Sequence, residues 1–169
     1  IVVIATIVGC PFFQWFGALS DKVGRKTIML SGLVLSLIMV PLVFYLMMNI
    51  GNPGGIKVTH AISGDAIIKI TLLVCSLHLC CAMLYGPMGA FIAELFPTRI
   101  RFTSMGFAYN IGNGVLGGST TFITELLRSV ILAGAILSPI AGLIYPLSLI
   151  ALAIIINWFF VPETYHRNM

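Results

Sequence analysis

Oppositely charged side chains lie close together in the segment GALSDKVGRK, which begins at Gly17. Its carboxylate, Asp21, can accept hydrogen bonds, and its guanidinium, Arg25, can donate them. Lys26 adds a second positive charge. Gly17 permits close contact with a neighbouring helix and Gly24 permits a tight turn, because glycine has no Cβ atom. The segment therefore predicts a charged turn.

A second charged segment, AELFPTRIR, follows a long uncharged run and places Glu94 and Pro97 before two arginines. A carboxylate at the end of such a run needs a partner or water, since an acid in the middle of a membrane helix costs about 2.5–3.5 kcal/mol. Arg99 or Arg101 can supply that partner. Glu94 is therefore predicted to form an ion pair within this segment.

A few polar side chains interrupt the apolar runs and are candidates for contact with a polar ligand: His78, Tyr109, Asn110 and Asn113. Asn110 and Asn113 are three residues apart and share one face of a helix. They can bind a ligand or hydrogen-bond a neighbouring helix. His78 is either a packing residue with satisfied hydrogen bonds or a functional group.

The cysteines offer little further chemistry. Cys75, His78 and Cys81 share a helical face and together could ligate a soft metal ion, but so short a cluster has low specificity. The plainer interpretation of the cysteines is that they are small packing residues. The sequence predicts no metal site, no cofactor and no catalytic residue.

The elements that carry these residues follow from the composition. The chain has 169 residues, of which 59% are hydrophobic and 8% charged, whereas an ordinary soluble domain is about 25% charged. Its five uncharged runs are each near or above the roughly 20 residues that a spanning helix needs. The predicted helices cover residues 1–20, 27–50, 66–94, 103–127 and 137–161.

This pattern predicts an all-α polytopic membrane protein with five transmembrane helices. A transmembrane β-barrel is excluded, because its strands would alternate apolar and polar residues. The composition also excludes a soluble enzyme and a nucleic-acid binder.

The positive charges divide unevenly between the two sides of this five-helix layout. One side carries Lys22, Arg25, Lys26, Arg99, Arg101 and Arg167. The other carries Lys57, Lys69 and Arg128. Because loops rich in Lys and Arg stay in the cytoplasm, the first side and the C-terminus are predicted to be cytoplasmic.

Prolines and glycines indicate where helices bend or approach one another. Four prolines fall within predicted helices: Pro11, Pro41, Pro87 and Pro146. Each would remove a helical hydrogen bond and bend the axis. The fourth helix is rich in glycine, and Gly114 with Gly118 forms a GxxxG pair. We expect neighbouring backbones to approach this helix closely.

Two of these motifs together resemble the major facilitator superfamily of transporters. The segment from Gly17 to Lys26 matches GxxxDxxGRK, which that family carries after its second helix and, often degraded, after its eighth. Glu94, Pro97 and Arg101 match the ExxPxxxR pattern that sugar porters and their relatives carry after helices four and ten.

A third match concerns the end of the chain. Residues 162–164 read PET after the last apolar run, as in many of these transporters after the twelfth helix. Residues 85–118 look most like the metabolite and proton symporter family, whose members carry proline or betaine, shikimate, citrate or 2-oxoglutarate. The resemblance implies helices eight to twelve, most of a C-terminal six-helix bundle, with the first seven helices missing.

The resemblance also implies alternating access by two rocking halves around a central site. Asp21 with Arg25 would form one gate pair at the cytoplasmic face. Glu94 with Arg101 would form another, and both pairs would break and reform between states. The helix with Tyr109, Asn110 and Asn113 would border the substrate cavity together with the His78 helix.

The function so implied is secondary active transport of a small polar metabolite by proton symport, in the cell (inner) membrane. The metabolite would be an osmolyte such as proline or betaine, or an organic acid. The partners are that substrate, protons, the lipid bilayer and the missing N-terminal half. None of the acidic residues lies at mid-membrane, so the carboxylate that binds the coupled proton is expected in the missing half.

Two alternatives remain. A sugar and proton porter of the same superfamily would share ExxPxxxR and the PET ending. A non-transporting membrane assembly subunit would fit the composition but would leave the three motifs unexplained. A membrane-embedded enzyme would need a nucleophile with a base, or several metal ligands, at membrane depth, and beyond the cluster of Cys75, His78 and Cys81 the sequence offers none.

Overall fold

The computed structural model describes residues 1–51, 64–132 and 142–161. Within these ranges the chain is helical and has no β-strand, which confirms the all-α class. The helices are α1 (Val2–Val23), α2 (Arg25–Gly51), α3 (Gly64–Leu95), α4 (Arg101–Asn110), a π-helical segment (Ile111–Gly117), α5 (Gly118–Leu132) and α6 (Ile144–Phe160). The predicted start of the fifth helix, at residue 137, and the motif at 162–164 lie outside the described residues.

The three longest helices, α1, α2 and α3, are each long and apolar enough to cross a bilayer. The fourth predicted helix is one continuous helical stretch that changes from α to π and back to α, between Arg101 and Leu132. The fifth, α6, is apolar and 17 residues long as described. Many large apolar side chains of these helices are exposed, such as Ile7 and Trp158, as expected for surfaces that face lipid.

The tightest packing joins α1, α2 and α3. Phe16, Ile28 and Ala82, one from each of these helices, form a buried cluster. Partly buried apolar side chains surround it: Phe12, Phe13, Leu19, Leu79 and Met83. The helix α6 packs on α2 and α5, whereas α4 touches α3 lightly.

Close backbone approach occurs at glycines of this three-helix unit. A Cβ atom on Gly86 of α3 would lie 2.8 Å from the carbonyl oxygen of Phe13 and 3.0 Å from the amide nitrogen of Gly17. A Cβ atom on Gly32 of α2 would lie 2.9 Å from Cβ of Met83. These distances leave no room for any other residue at Gly86 unless α1 moves away.

At the fourth helix the described residues show no close backbone approach. Cβ atoms added at Gly106, Gly112, Gly114 or Gly118 would meet nothing within 4 Å. Two of them, Gly112 and Gly114, lie within the π-helical segment, which the sequence did not predict. Glycine has little preference for α-helix, so the stretch can adopt the rarer hydrogen-bond pattern.

One of the four predicted helix bends also needs correction. Pro11, Pro41 and Pro87 lie inside α1, α2 and α3. Pro146 instead lies in the first turn of α6, which begins at Ile144. The amide nitrogens of a first turn have no partner within their helix, so a proline there breaks no helical hydrogen bond.

Candidate functional site

Four helices meet at one end of the bundle, which we call the charged end and define by Asp21, Arg25, Lys26 and Glu94. Asp21 lies in the last turn of α1, Arg25 and Lys26 begin α2, and Glu94 lies in the last turn of α3. A single glycine, Gly24, separates α1 from α2. The sequence thus places three of these four charges within a few residues of one helix boundary.

Gly24 makes this sharp boundary possible. Its φ angle is 114°, in a region of backbone space that side chains with a Cβ atom rarely adopt. Its amide donates a 3.0 Å hydrogen bond to the carbonyl of Ser20, and its carbonyl accepts a 3.3 Å bond from the amide of Ile28. The chain therefore reverses from α1 into α2 without a loop.

The guanidinium of Arg25 joins two carboxylates at the charged end. Its Nη2 atom lies 3.0 Å from Oδ1 of Asp21 and 2.8 Å from Oε1 of Glu94. The first ion pair links residues four apart in sequence, and the second links α2 to α3. The Asp21–Arg25 pair that the sequence suggested is thus present, together with a pair between helices that it did not suggest.

Burial shows which of the two ion pairs contributes more to the stability of the fold. The side chains of Arg25 and Glu94 are 13% and 15% exposed, whereas that of Asp21 is 59% exposed. Exposed ion pairs contribute about 0–1 kcal/mol, while removal of one partner from a largely buried pair leaves an uncompensated charge and costs more. The link between α2 and α3 is therefore the stronger one.

The predicted partner of Glu94 needs correction, because Arg25 rather than Arg101 binds it. The Nε atom of Arg101 donates a 3.3 Å hydrogen bond to the carbonyl of Phe96. The amide of Ile100 donates to the carbonyl of Pro97 at 3.2 Å. Within the ExxPxxxR motif, Arg101 therefore closes a turn, whereas Glu94 binds Arg25 of the GxxxDxxGRK motif.

Lys26 ties a fourth helix to the charged end. Its Nζ atom donates a 3.0 Å hydrogen bond to the carbonyl of Trp158 in the last turn of α6. The last four carbonyls of a helix have no partner within it, and a cation there also interacts favourably with the helix dipole. Arg25 and Lys26, adjacent in sequence, therefore hold α3 and α6 against α2.

Gly17 lies where α1 and α3 cross just inside the charged end. A Cβ atom on Gly17 would lie 3.4 Å from the carbonyl oxygen of Gly86, so the two backbones are in near contact. The hydroxyl of the buried Ser20 donates a 2.6 Å hydrogen bond to the carbonyl of Gly17. The two helices that carry Asp21 and Glu94 are thus packed closely at this level.

The candidate cavity residue His78 lies near the middle of α3 and faces α1. Its Nδ1 atom lies 3.0 Å from the carbonyl oxygen of Val74, and its Nε2 atom lies 3.2 Å from Oγ1 of Thr6. A Cβ atom on Gly9 of α1 would lie 3.2 Å from Cβ of His78. Both ring nitrogens therefore have protein partners.

Asn110 and Asn113 have different hydrogen-bond partners in the structure. Asn110 ends α4 and its Nδ2 atom donates a 2.8 Å hydrogen bond to the carbonyl of Gly106 in its own helix. Asn113 lies in the π-helical segment, and its Oδ1 atom accepts a 3.3 Å bond from the hydroxyl of Tyr85. Tyr109 is 46% exposed.

A cavity of about 450 Å³ lies between α2, α3, the π-helical segment and α6, within the size range of small-molecule sites. Its lining is mostly apolar, and Tyr85, Asn113 and Thr120 supply the polar groups. The imidazole of His78 lies seven residues, or about 10 Å along α3, from Tyr85. The structure thus places two separate polar spots along one helix.

Thr6 and Tyr85 are the polar residues that the sequence analysis missed. Tyr85 follows His78 by seven residues and so shares its helical face, a signal that was available. Thr6 is the first hydroxyl in an apolar run, but only the packing of α1 on α3 shows that it meets His78. Among the residues that the structure describes, no group of three His, Cys, Asp or Glu side chains could hold a metal ion.

The known proteins that this chain resembles are membrane transporters. The family model described as "Sugar (and other) transporter" matches residues 1–169. The α-ketoglutarate permease of Escherichia coli K12 is 31% identical over 115 residues, which is 68% of this chain and 23% of that protein. The inner membrane metabolite transport protein YhjE of the same strain is 31% identical over 157 residues, 90% of this chain and 30% of that protein.

The ectoine/proline transporter ProP of Corynebacterium glutamicum is 34% identical over 112 residues, 66% of this chain and 19% of that protein. The chain thus spans between 19% and 30% of the length of these relatives. No solved structure gives a significant match.

Proposed function

This chain belongs to the sugar (and other) transporter family of the major facilitator superfamily, and on that premise we propose that it is part of a secondary transporter for small polar metabolites. Membership of this family identifies a multi-pass membrane transporter rather than an enzyme. The proposed cargo is an osmolyte such as proline or betaine, or an organic acid, carried with a proton by alternating access.

The ion pair between Arg25 and Glu94 is the observation that carries the proposal. It joins the ends of α2 and α3 at 2.8 Å, while Lys26 holds the end of α6. An alternating-access transporter must close and open one face of its bundle. Ion pairs at the membrane edge can hold the closed state and be replaced by water contacts in the open state, because only the difference between states matters.

The position of the chain within the whole protein is part of the proposal. We place it in the C-terminal half, as helices eight to twelve, with the charged end and the C-terminus in the cytoplasm. Lys22, Arg99 and Arg101 add positive charge at this end, whereas Lys69 lies near the opposite end of α3. The excess of basic residues at cytoplasmic faces supports that orientation.

The names of the relatives support the proposed cargo, since they are described as transporters of α-ketoglutarate and of ectoine and proline. In this chain the polar lining of the cavity would bind such a molecule at Tyr85 and Asn113. Amide and hydroxyl groups bind carboxylate or hydroxyl oxygens well in an otherwise apolar site. The coupled proton is assigned to a carboxylate outside this chain.

The description of the matched family favours a second candidate, a sugar and proton porter. A panel of labelled substrates separates the two. Cells that lack their own uptake systems would express the complete protein and receive labelled proline, betaine, 2-oxoglutarate, citrate or glucose. Accumulation of one of the first four, abolished by a protonophore, supports the proposal, whereas accumulation of glucose alone supports the sugar porter. Accumulation unaffected by the protonophore contradicts proton symport.

A further inference from the structure

A groove between α2 and α3 lies apart from both the charged end and the cavity at Tyr85. Its volume is about 440 Å³, and its lining residues come from these two helices alone. All of them are apolar except Lys69 and Ser76. We propose that this groove binds a phospholipid of the surrounding bilayer, with an acyl chain between the two helices and the phosphate group at Lys69.

The wall of the groove on α2 is a stripe of apolar side chains: Met39, Leu42, Val43, Leu46 and Ile50. Their spacing of three or four residues places them on one face of the helix. From its first to its last residue the stripe is about 16 Å long, roughly half the thickness of a hydrocarbon core of about 30 Å. The groove therefore has the depth of one leaflet, the leaflet opposite the charged end.

The wall on α3 carries a positive charge at one end. Lys69 lies in the second turn of α3, at the end of the bundle where α2 finishes. Ser76 lies about 10 Å further along α3, toward the middle of the bundle. Its hydroxyl donates a 2.7 Å hydrogen bond to the carbonyl of Leu73 in the same helix. The groove thus has a cation at the membrane edge and an apolar interior.

The groove has a closed floor and an open rim. Val43 is 1% exposed, whereas Leu42, Leu46 and Leu72 are 47%, 36% and 65% exposed. Exposed leucines on a membrane-spanning helix face lipid, so the groove opens at the surface of the helical bundle. An acyl chain in it gains dispersion contacts with the floor and with both walls.

The polar groups of the groove favour a phospholipid over a polar metabolite. A metabolite site needs several polar groups that converge on the ligand, and here the hydroxyl of Ser76 is already used within its own helix. Lys69 alone is left to bind a polar group. A lysine can extend its ammonium group to the level of the lipid headgroups while its methylene groups stay on apolar surface. The groove and Lys69 therefore match the chain and the phosphate of one lipid.

The surroundings of Lys69 favour a lipid with net negative charge. Within the described residues no ion pair involves Lys69, although Asp65 lies one helical turn before it. One lysine near an anionic lipid surface increases binding roughly fivefold. Phosphatidylglycerol, which is anionic, should therefore bind more tightly than phosphatidylcholine, whose own ammonium group balances its phosphate.

The test measures lipid binding to the complete protein, purified in detergent and without substrate. Phosphatidylglycerol or phosphatidylcholine is added in increasing amounts. The apparent affinity is taken from the rise in unfolding temperature and from native mass spectrometry, which counts the lipids bound to folded protein. Glycerol phosphate, a headgroup without acyl chains, is the third probe and should not stabilise the protein.

The first variants test the charge. Lys69→Gln should weaken the binding of phosphatidylglycerol roughly fivefold and leave that of phosphatidylcholine nearly unchanged, whereas Lys69→Arg should keep the preference. Lys22→Gln changes another exposed lysine, at the charged end, and should also keep the preference. If Lys22→Gln loses it to the same extent as Lys69→Gln, general positive charge explains the binding and the inference is overturned.

The second variants test the groove and use a matched pair of leucines on α2. Leu46 lines the groove and Leu35 does not, and their exposed fractions are similar, 36% and 40%. Leu46→Trp should fill the groove and weaken the binding of both lipids several-fold, because the acyl chain loses its contacts with the floor. Leu35→Trp adds the same side chain elsewhere and should change neither affinity.

Two further results would overturn the inference. Equal lipid affinities in Leu46→Trp and Leu35→Trp would show that no acyl chain occupies the groove, as when another part of the complete protein covers it. Stabilisation by glycerol phosphate equal to that by phosphatidylglycerol would show that Lys69 binds an anion without a chain. Because no substrate is present, either result leaves the proposed function to be decided by the uptake measurements.

Discussion

Two regions of this molecule use glycine in opposite ways. In the packed unit, formed by α1, α2 and α3, glycines lie where backbones touch, as at Gly86. In the glycine arm, formed by α4, the π-helical segment and α5, four glycines face open space in the described structure. The comparison teaches that a GxxxG pattern indicates a helix surface without side chains, and that only the neighbours decide whether another helix fills it.

The polar contacts also differ between the packed unit and the glycine arm. Arg25, Lys26 and Glu94 connect α2, α3 and α6 at one end. Two long contacts join the glycine arm to α3 and α6, the 3.3 Å bond between Tyr85 and Asn113 and the 3.3 Å contact between Ser119 and Tyr145. We expect the packed unit to move as one body, and the glycine arm to change its position more easily against it.

The largest expected effect comes from a methyl group in the packed unit. Gly86→Ala places a Cβ atom 2.8 Å from the carbonyl oxygen of Phe13, so α1 and α3 must separate, at a cost of about 1–3 kcal/mol. We expect a clear loss of membrane abundance and a lower unfolding temperature. Gly114→Ala is the matched control in the glycine arm, where a Cβ atom meets nothing within 4 Å, and it should fold normally. If both variants lost membrane abundance equally, the packed unit and the glycine arm would not differ in how closely their backbones pack.

The next effect concerns the ion pairs of the charged end. Glu94→Gln removes the buried link between α2 and α3, whereas Asp21→Ala removes a carboxylate that is 59% exposed. We expect uptake to fall roughly tenfold in Glu94→Gln and several-fold in Asp21→Ala, because truncating the more buried charge costs more. Uptake and membrane abundance are measured together. If uptake falls only in proportion to abundance, the ion pairs stabilise the fold and are not a gate.

A smaller effect is expected where α6 joins the packed unit. Lys26→Met keeps much of the apolar length of the side chain but removes the hydrogen bond to the carbonyl of Trp158. The loss of a cation at a helix C-terminus costs about 0.3–1 kcal/mol. The unfolding temperature should drop slightly and Lys26→Arg should restore it. A drop in Lys22→Met of the same size would mean that general positive charge, and not this contact, is responsible.

The smallest effect tests how the glycine arm is held. Tyr85→Phe removes the hydroxyl that donates to Asn113, a long and exposed bond worth about 0.5 kcal/mol, at the low end for hydrogen bonds. If Tyr85 and Asn113 line the substrate cavity, the apparent KM should rise about twofold while abundance stays the same. Tyr45→Phe of α2, whose side chain does not line this cavity, is the control. An unchanged KM in Tyr85→Phe would place the substrate elsewhere.

The sequence predicted the charged turn well because its parts are neighbours in the chain. Asp21 and Arg25 are one helical turn apart, and Gly24 has a backbone angle that few other residues adopt. The partner of Glu94 was predicted wrongly because the residue that binds it is distant in sequence. Arg101 is closer in sequence, but the packing of α2 on α3 brings Arg25 to the carboxylate, and spacing along the chain carries no information about that.

Composition and the lengths of the uncharged runs determined that this chain is helical and spans membranes, because a bilayer leaves the backbone few alternatives to the α-helix. Local motifs determined the family resemblance and the residues of the charged end. The tertiary structure decided which helices touch: that Thr6 meets His78, that Lys26 reaches α6, and that Gly86 rather than Gly114 lies in a backbone contact. In an apolar helix every face is similarly hydrophobic, so the sequence does not mark the face that packs, and only the shapes and polar groups of the neighbouring helices select it.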